Sequence, residues 1–215
     1  MFNAKNFNAD EWVALFKKAG AKFVGPVTEH ADGFAMWDSK VTPFNAKAMG
    51  PKRDIVAEME KAVRRRGLKF VTSVHHHWKW GWYPTGDPNT DCSDPAYAAL
   101  YGPKNPITAW GTTQADGKFD VMRPSPLPDS QFCADWLAKV KEVVTRYEPD
   151  LMWFDNRMEI IAEETRLDMV SFYYNQARTW NRPVVLTYKQ PDLQEGTATI
   201  DLERSRMPDI YPDPW

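Results

Sequence analysis

The run "RYEPDLMWFDN", residues 146–156, decides how the rest of the chain is read. Leu151 to Phe154 are apolar without a break, the pattern of a parallel strand covered on both faces. Pro149 ends whatever helix precedes it, and the apolar run stops at a carboxylate, Asp155. Upstream, "PDSQFCADWLAKVKEVVTRYEP" predicts a helix with Asp129 or Ser130 as N-cap. Downstream, "RLDMVSFYYNQARTWNR" predicts another helix, "PVVLTY" a strand and "TATIDLE" a further strand. Toward the N-terminus, "NADEWVALFKKAG" predicts a helix capped by Asn8, with Glu11 three residues on, Trp12, Leu15 and Phe16 on one face and Gly20 as its stop. "AKFVGPVT" then reads as a strand. "RDIVAEMEKAVRRRG" reads as a helix with Ile55, Met59, Ala62 and Val63 on its inner face and Gly67 as its stop, and "LKFVTSV" as a strand.

Alternating helices and strands without hairpin signals imply parallel strands joined by right-handed crossovers. Both an open doubly wound sheet and a (β/α)8 TIM-like barrel have this pattern. No strand runs into a G-x-G-x-x-G turn, which removes the main support for a nucleotide-binding sheet. His30, the His75–His77 run, Asp155, Lys189 and Glu203 each follow a predicted strand, and the C-terminal strand ends are the active face of a barrel. The reading is therefore a barrel. Four or five strands fall short of a closed one, which typically takes about 250 residues. The expectation is one partial catalytic domain over residues 1–215, with strands missing at both ends and a Pro-, Gly- and Asp-rich insertion at about 83–128.

Twenty-seven basic residues against 29 acidic ones leave no electrostatic case for nucleic acid or an anionic membrane as partner. "RRR" at 64–66 reads as a solvated helix C-terminus. Two cysteines, Cys92 and Cys133, are too few for a disulfide framework and read as free thiols. No apolar run reaches the roughly 20 residues of a membrane span, and the first residues lack a signal-peptide pattern. Ten Trp, eight Tyr and 11 Phe exceed what one core needs, and several lie in loop-like sequence where aromatic side chains can stack on sugar rings.

Three of the four histidines stand together in "SVHHHWKWGWYP", residues 73–84, and the fourth, His30, in "TEHADGF". Strand alternation would turn His75 and His77 one way and His76 the other. A metal site would require two or three of them plus Glu29 or Asp32; consecutive histidines leaving a strand do not meet that need, so no metal is expected. Hydrogen bonding to a polyhydroxylated ligand suits them better. Asp155 is either a loop anchor or a catalytic carboxylate. Glu203 in "IDLERSR" either pairs with Arg204 or Arg206 or supplies the second carboxylate that glycoside hydrolysis requires.

Three segments in order, "DEWVALFKKAGAKFVGPVTEHADGFAMWDSKVTPFNA", "GPKRDIVAEMEKAVRRRGLKF" and "RYEPDLMWFDN", resemble the catalytic core of glycoside hydrolase family 29, the retaining α-L-fucosidases. The resemblance covers about residues 1–188 and is weakest across the insertion. It implies Asp155 as nucleophile and His30 as a ligand of the fucose hydroxyls. His75 or His76 would be a further sugar ligand, Trp153 would line the pocket, and Trp37 would be a pocket-side aromatic. The family's second histidine is replaced by Ala31, and its N-terminal His-Trp-Gly segment has no counterpart here. The acid/base falls on Glu203, with Glu195 and Glu159 behind it. The implied substrate is a fucosylated oligosaccharide or glycoconjugate, met outside the cytoplasm or in lysosomes. A carbohydrate-binding barrel that has lost catalysis, and a His-based metal-dependent hydrolase, are the rival readings.

Overall fold

The computed structural model describes residues 2–105, 124 and 126–203. Helices α1 (Ala9–Lys18), α2 (Ile55–Arg65), α3 (Ala98–Tyr101), α4 (Ser130–Tyr147) and α5 (Glu163–Thr179) alternate with β1 (Phe23–Val24), β2 (Val27–Glu29), β3 (Lys69–Val74), β4 (Leu151–Phe154), β5 (Val185–Tyr188) and β6 (Thr199–Ile200). Every strand pairing among the described residues is parallel. The predicted strand 21–28 is two pieces, both paired with β3 and broken at Gly25–Pro26. A Cβ on Gly25 would lie 1.5 Å from the Val71 carbonyl oxygen, so only glycine permits this approach. From that interrupted strand the order runs β3, β4, β5, β6, following the sequence without a reversal.

The Asn8 and Asp129 caps predicted from sequence form, and Asp54 caps α2 as well. Asn8 accepts from the backbone N–H groups of Asp10 and Glu11, Asp54 from Ala57, and Asp129 from Phe132. Glu148 closes α4 in the left-handed conformation, and Pro149 prevents continuation.

Phe70, Val74, Met152, Phe154, Leu186, Tyr188 and Ile200 are buried on one sheet face, against α2, α4 and α5. The alternate residues are not: Leu151 and Trp153 are half-buried, and Val185 is exposed. The continuous apolar run of β4 therefore does not mean two covered faces. Within the described residues the helices cover one face only, as successive right-handed crossovers in an unreversed strand order require.

Other expectations are corrected by packing. α1 buries Ala9 and Val13 against α2, because small side chains allow close approach; Trp12, Leu15 and Phe16 are exposed. The Arg64–Arg66 run is not simply solvated. Arg64 donates to the Tyr147 and Glu148 carbonyls that end α4, and Arg65 and Arg66 pair with Asp10. The insertion contains short helical turns at Asp91–Ser93 and Pro95–Tyr97 followed by α3; its residues 106–123 and 125 lie outside the described residues, as do Arg204 and Arg206. Both cysteines are free thiols.

Beneath the strand ends Glu29, with no exposure, accepts two hydrogen bonds from buried Lys139 of α4 at 2.6 and 2.8 Å. Removing one partner strands a charge in a low-dielectric core. Lys139→Met is expected to destabilise the fold by about 3–5 kcal/mol in urea denaturation. A Glu29→Leu, Lys139→Met double variant should recover most of that loss, and failure to recover it would show that the pair acts through packing.

Candidate active site

The register of β3 against β4 builds the site. Val74 lies opposite Phe154, so the residues that follow, His75 and Asp155, emerge side by side. His75 Nδ1 is 3.3 Å from Asp155 Oδ2, and His75 Nε2 is 2.7 Å from the Ser73 hydroxyl. The His30 ring, delivered by β2, stacks on His75 at 4.4 Å between centroids, and the Trp153 ring stands 5.1 Å from His75. From β5, Lys189 Nζ donates to Asp155 Oδ1 at 2.7 Å and to Glu203 Oε2 at 2.6 Å, and lies 4.3 Å from the Trp153 ring centroid. Asp201, just beyond β6, accepts from Trp153 Nε1 at 2.6 Å and from the Glu203 backbone N–H at 2.9 Å. The ends of β2, β3, β4, β5 and β6 thus meet around one carboxylate.

Burial would raise the Asp155 pKa, but hydrogen bonds from His75, Lys189 and the Asn156 backbone outweigh it and hold the carboxyl well below the usual range. Partial burial and the neighbouring His75 lower the pKa of His30. Burial opposes the Lys189 ammonium, yet Asp155 and Glu203 leave its pKa raised. At neutral pH the centre is an ionised carboxylate, an ammonium and a neutral His30. Such a cluster can deliver a carboxylate oxygen to an electrophilic carbon while neutral ring nitrogens take up hydroxyl groups.

Two expected ligands lie elsewhere. The strand stops at Val74, and His76–Lys79 forms a 3-10 turn, so the three histidines diverge by the rotation of that turn and not by strand alternation. His76 is buried, with Nε2 3.2 Å from the Trp136 carbonyl oxygen of α4, and not at the carboxylate. Burial holds its pKa well below the usual value. His77 reaches the Asn156 carbonyl at 2.9 Å, and burial pushes its pKa down to about 3. Trp37 is fully buried between α2 and α4, its indole N–H donating to Glu142 at 2.9 Å, and does not face the site. The backbone bond from Met36 N–H to the Thr28 carbonyl draws this segment under the helices. No three His, Cys, Asp or Glu side chains among the described residues converge as a metal-binding set.

Of the alternative glutamates, Glu195 is exposed and borders a depression with Val184 and Val185, at the opposite end of β5 from Lys189. Glu159 packs against Asp192, whose pKa burial and the Glu159 carboxyl push up to about 9. Glu203 is the one joined to Asp155 through a shared partner. Lys189 and Asp201 belong to no motif in the sequence. The available signal was position alone, a charged residue directly after each short apolar strand.

The sequence model of the alpha-L-fucosidase family matches residues 1–215. A tissue alpha-L-fucosidase of Bos taurus is 30% identical over 188 residues, 86% of this chain and 32% of that protein. An alpha-L-fucosidase of Dictyostelium discoideum is 30% identical over 156 residues, 72% of this chain and 27% of that protein. A Thermotoga maritima alpha-fucosidase structure in complex with fucose aligns with a TM-score of 0.58 at 28% identity, covering 88% of this chain and 37% of that one. The chain spans about a third of the length of the curated relatives it matches.

The Asp155 carboxyl has a folded pKa below its ordinary 3.8, so its contribution to stability is present above pH 3.8 and is lost as pH falls through the folded value. Lys189→Met removes a contacting cation and is expected to raise the Asp155 pKa by about one unit or more, read from carboxyl carbon-13 shifts. An unmoved titration would assign the low value to His75 and the backbone instead.

Proposed function

The chain belongs to the alpha-L-fucosidase family, and from that premise we propose that it carries the nucleophile and part of the sugar pocket of a retaining exo-glycosidase acting on terminal α-L-fucosyl residues. The observation that carries this reading is the Asp155 carboxylate, held ionised at a strand end among His75, His30, Lys189 and Trp153. In the proposed reaction an Asp155 oxygen attacks the anomeric carbon while the Glu203 carboxylic acid gives its proton to the departing glycosidic oxygen. The glycosyl–oxygen bond breaks and an ester to Asp155 forms. Water, losing its proton to Glu203, then cleaves the ester and releases fucose with retained configuration.

Retention requires carboxyls about 5–5.5 Å apart. One ammonium bonded to Asp155 Oδ1 at 2.7 Å and Glu203 Oε2 at 2.6 Å holds those two oxygens no farther apart than this. Glu203 must be protonated in the first step, so an entering substrate has to displace its bond to Lys189; its side chain is half exposed and free to swing. His30 and His75 supply ring nitrogens as donors and acceptors for hydroxyls, and the Trp153 ring supplies the apolar wall for the methyl group of a 6-deoxy sugar. No step calls for a metal or organic cofactor.

The same reading extends to the architecture and setting. We place these strands in a (β/α)8 barrel, with residues 1–215 as part of its catalytic domain. The unreversed parallel order and the single covered face support this. Fucosylated glycans are the substrate class and an extracytoplasmic compartment the setting. No helix among the described residues is long and apolar enough to cross a membrane.

A 2-deoxy-2-fluoro-fucosyl fluoride should label the protein with one fucosyl unit on Asp155, seen by intact mass and peptide mapping, and Asp155→Asn should take up none. Binding of fucose without any adduct would favour the carbohydrate-binding alternative, for which buried Ala31 in place of a second histidine is the supporting observation. Labelling of Asp155→Asn at an unchanged rate would remove Asp155 from the mechanism.

A further inference from the structure

A cavity of about 260 Å³ opens between α4, the His76–Lys79 turn and residues 98–103. Phe132, Trp136, Val41 and Ala99 give it apolar walls, and Lys79 and Lys139 face it with their charged side chains. Asp155, His30, His75 and Trp153 do not border it.

The two lysines are buried to similar degrees, 8% and 3% exposed, but they are not equivalent. Lys139 is matched by both oxygens of Glu29. Lys79 donates to the Ala99 carbonyl at 3.2 Å and lies 5.8 Å from the Phe132 ring centroid; among the described residues it contacts no carboxylate. A buried ammonium without a counterion costs free energy that folding does not need to spend. Burial, and then the neighbouring Lys139 charge, push its pKa down to about 8, with Glu29 and Asp135 acting on it at longer range. At neutral pH most of the population still carries the charge.

We propose that this cavity is a binding site for a small monocarboxylate with an apolar body, its carboxylate paired with the Lys79 ammonium and its body against Phe132 and Trp136. Size, walls and charge select that class. An apolar cavity of about 150 Å³ holds benzene, whereas drug-sized ligands occupy roughly 300–1,000 Å³, so this one suits a benzoate-sized guest and not an oligosaccharide. Asp135, exposed and bonded to Gln131 at 2.9 Å, sets a negative charge on the cavity lining that disfavours dianions. The site is independent of the sugar-cleaving reading. The charged and titratable groups around Lys79 are Lys139 and Asp135 from α4, Glu29 from β2, His76 from its own turn and, on the cavity lining, the α4 cap Asp129.

The test is calorimetric titration of the whole chain with benzoate, and with inorganic phosphate as the dianionic comparison, at about pH 7 and about pH 9.5. Saturable one-to-one benzoate binding is expected at the lower pH, weakened about ten-fold or more at the higher pH, where Lys79 has lost its proton. Lys79→Met should lose it to a similar extent, and Asp155→Asn should keep it, which separates this site from the sugar site. Val41→Trp fills the cavity from an exposed position without removing a charge and should also abolish binding; it stands in for Lys79→Met if that variant does not give a native thermal transition. Absence of benzoate binding at millimolar concentration, equal binding by either cavity variant, or tighter binding of phosphate would each overturn the proposal.

Discussion

The pairing of Val74 with Phe154 is the constraint on which the site depends. Parallel strands in register release their next residues at the same height, so His75 and Asp155 meet without any loop having to bring them together. A slip of one residue along β4 would turn Asp155 toward the helices and put Phe154 at the mouth. The register is protected by what it buries: Val74, Met152 and Phe154 share one core with α4 and α5, and Asp150 at the start of β4 accepts the Phe70 backbone N–H at 2.8 Å. The rigidity that aligns the Asp155 carboxylate is thus the ordinary rigidity of a packed parallel ladder.

Charge is handled differently at the two ends of these strands. At the start of β4, Asp150 is buried and ringed by Arg64, Lys69 and Arg182, a carboxylate over-supplied with cations that ties α2, β3 and the entry to β5 together. At the far end, Lys189 is one cation among Asp155, Glu203 and Asp201. A fully paired charge stabilises a joint, whereas a carboxylate sharing one ammonium with its neighbours stays ionised while part of its surface remains open. Lys79 is the third case, a buried ammonium with no contacting carboxylate among the described residues.

Much of the secondary structure was legible because local rules decide it. Asn8 and Asp129 cap helices, Pro149 stops one, and apolar runs of four to six residues between helices become parallel strands. The errors came where neighbours outvote the pattern. Trp12, Leu15 and Phe16 form a sound amphipathic face, yet α2 accepts the smaller Ala9 and Val13. Trp37 sits in a segment that reads as pocket lining, yet a backbone bond to Thr28 and a carboxylate on α4 draw it inward. Lys189 was visible as a strand-end residue, but nothing local distinguishes it from any other surface lysine.

By itself the sequence determined the alternation of elements, the parallel sheet, the strand-end placement of Asp155 and His30, and a family resemblance written in three separated segments. These are properties of short-range periodicity and of contiguous motifs, both of which survive without coordinates. Only the tertiary structure decided which of three adjacent histidines meets the carboxylate, that Lys189 joins Asp155 to Glu203, and that a charged lysine lines a second cavity. Each of those depends on where a chain turns after its strand ends and on partners 14 to 80 residues away, distances over which sequence pattern carries no directional information.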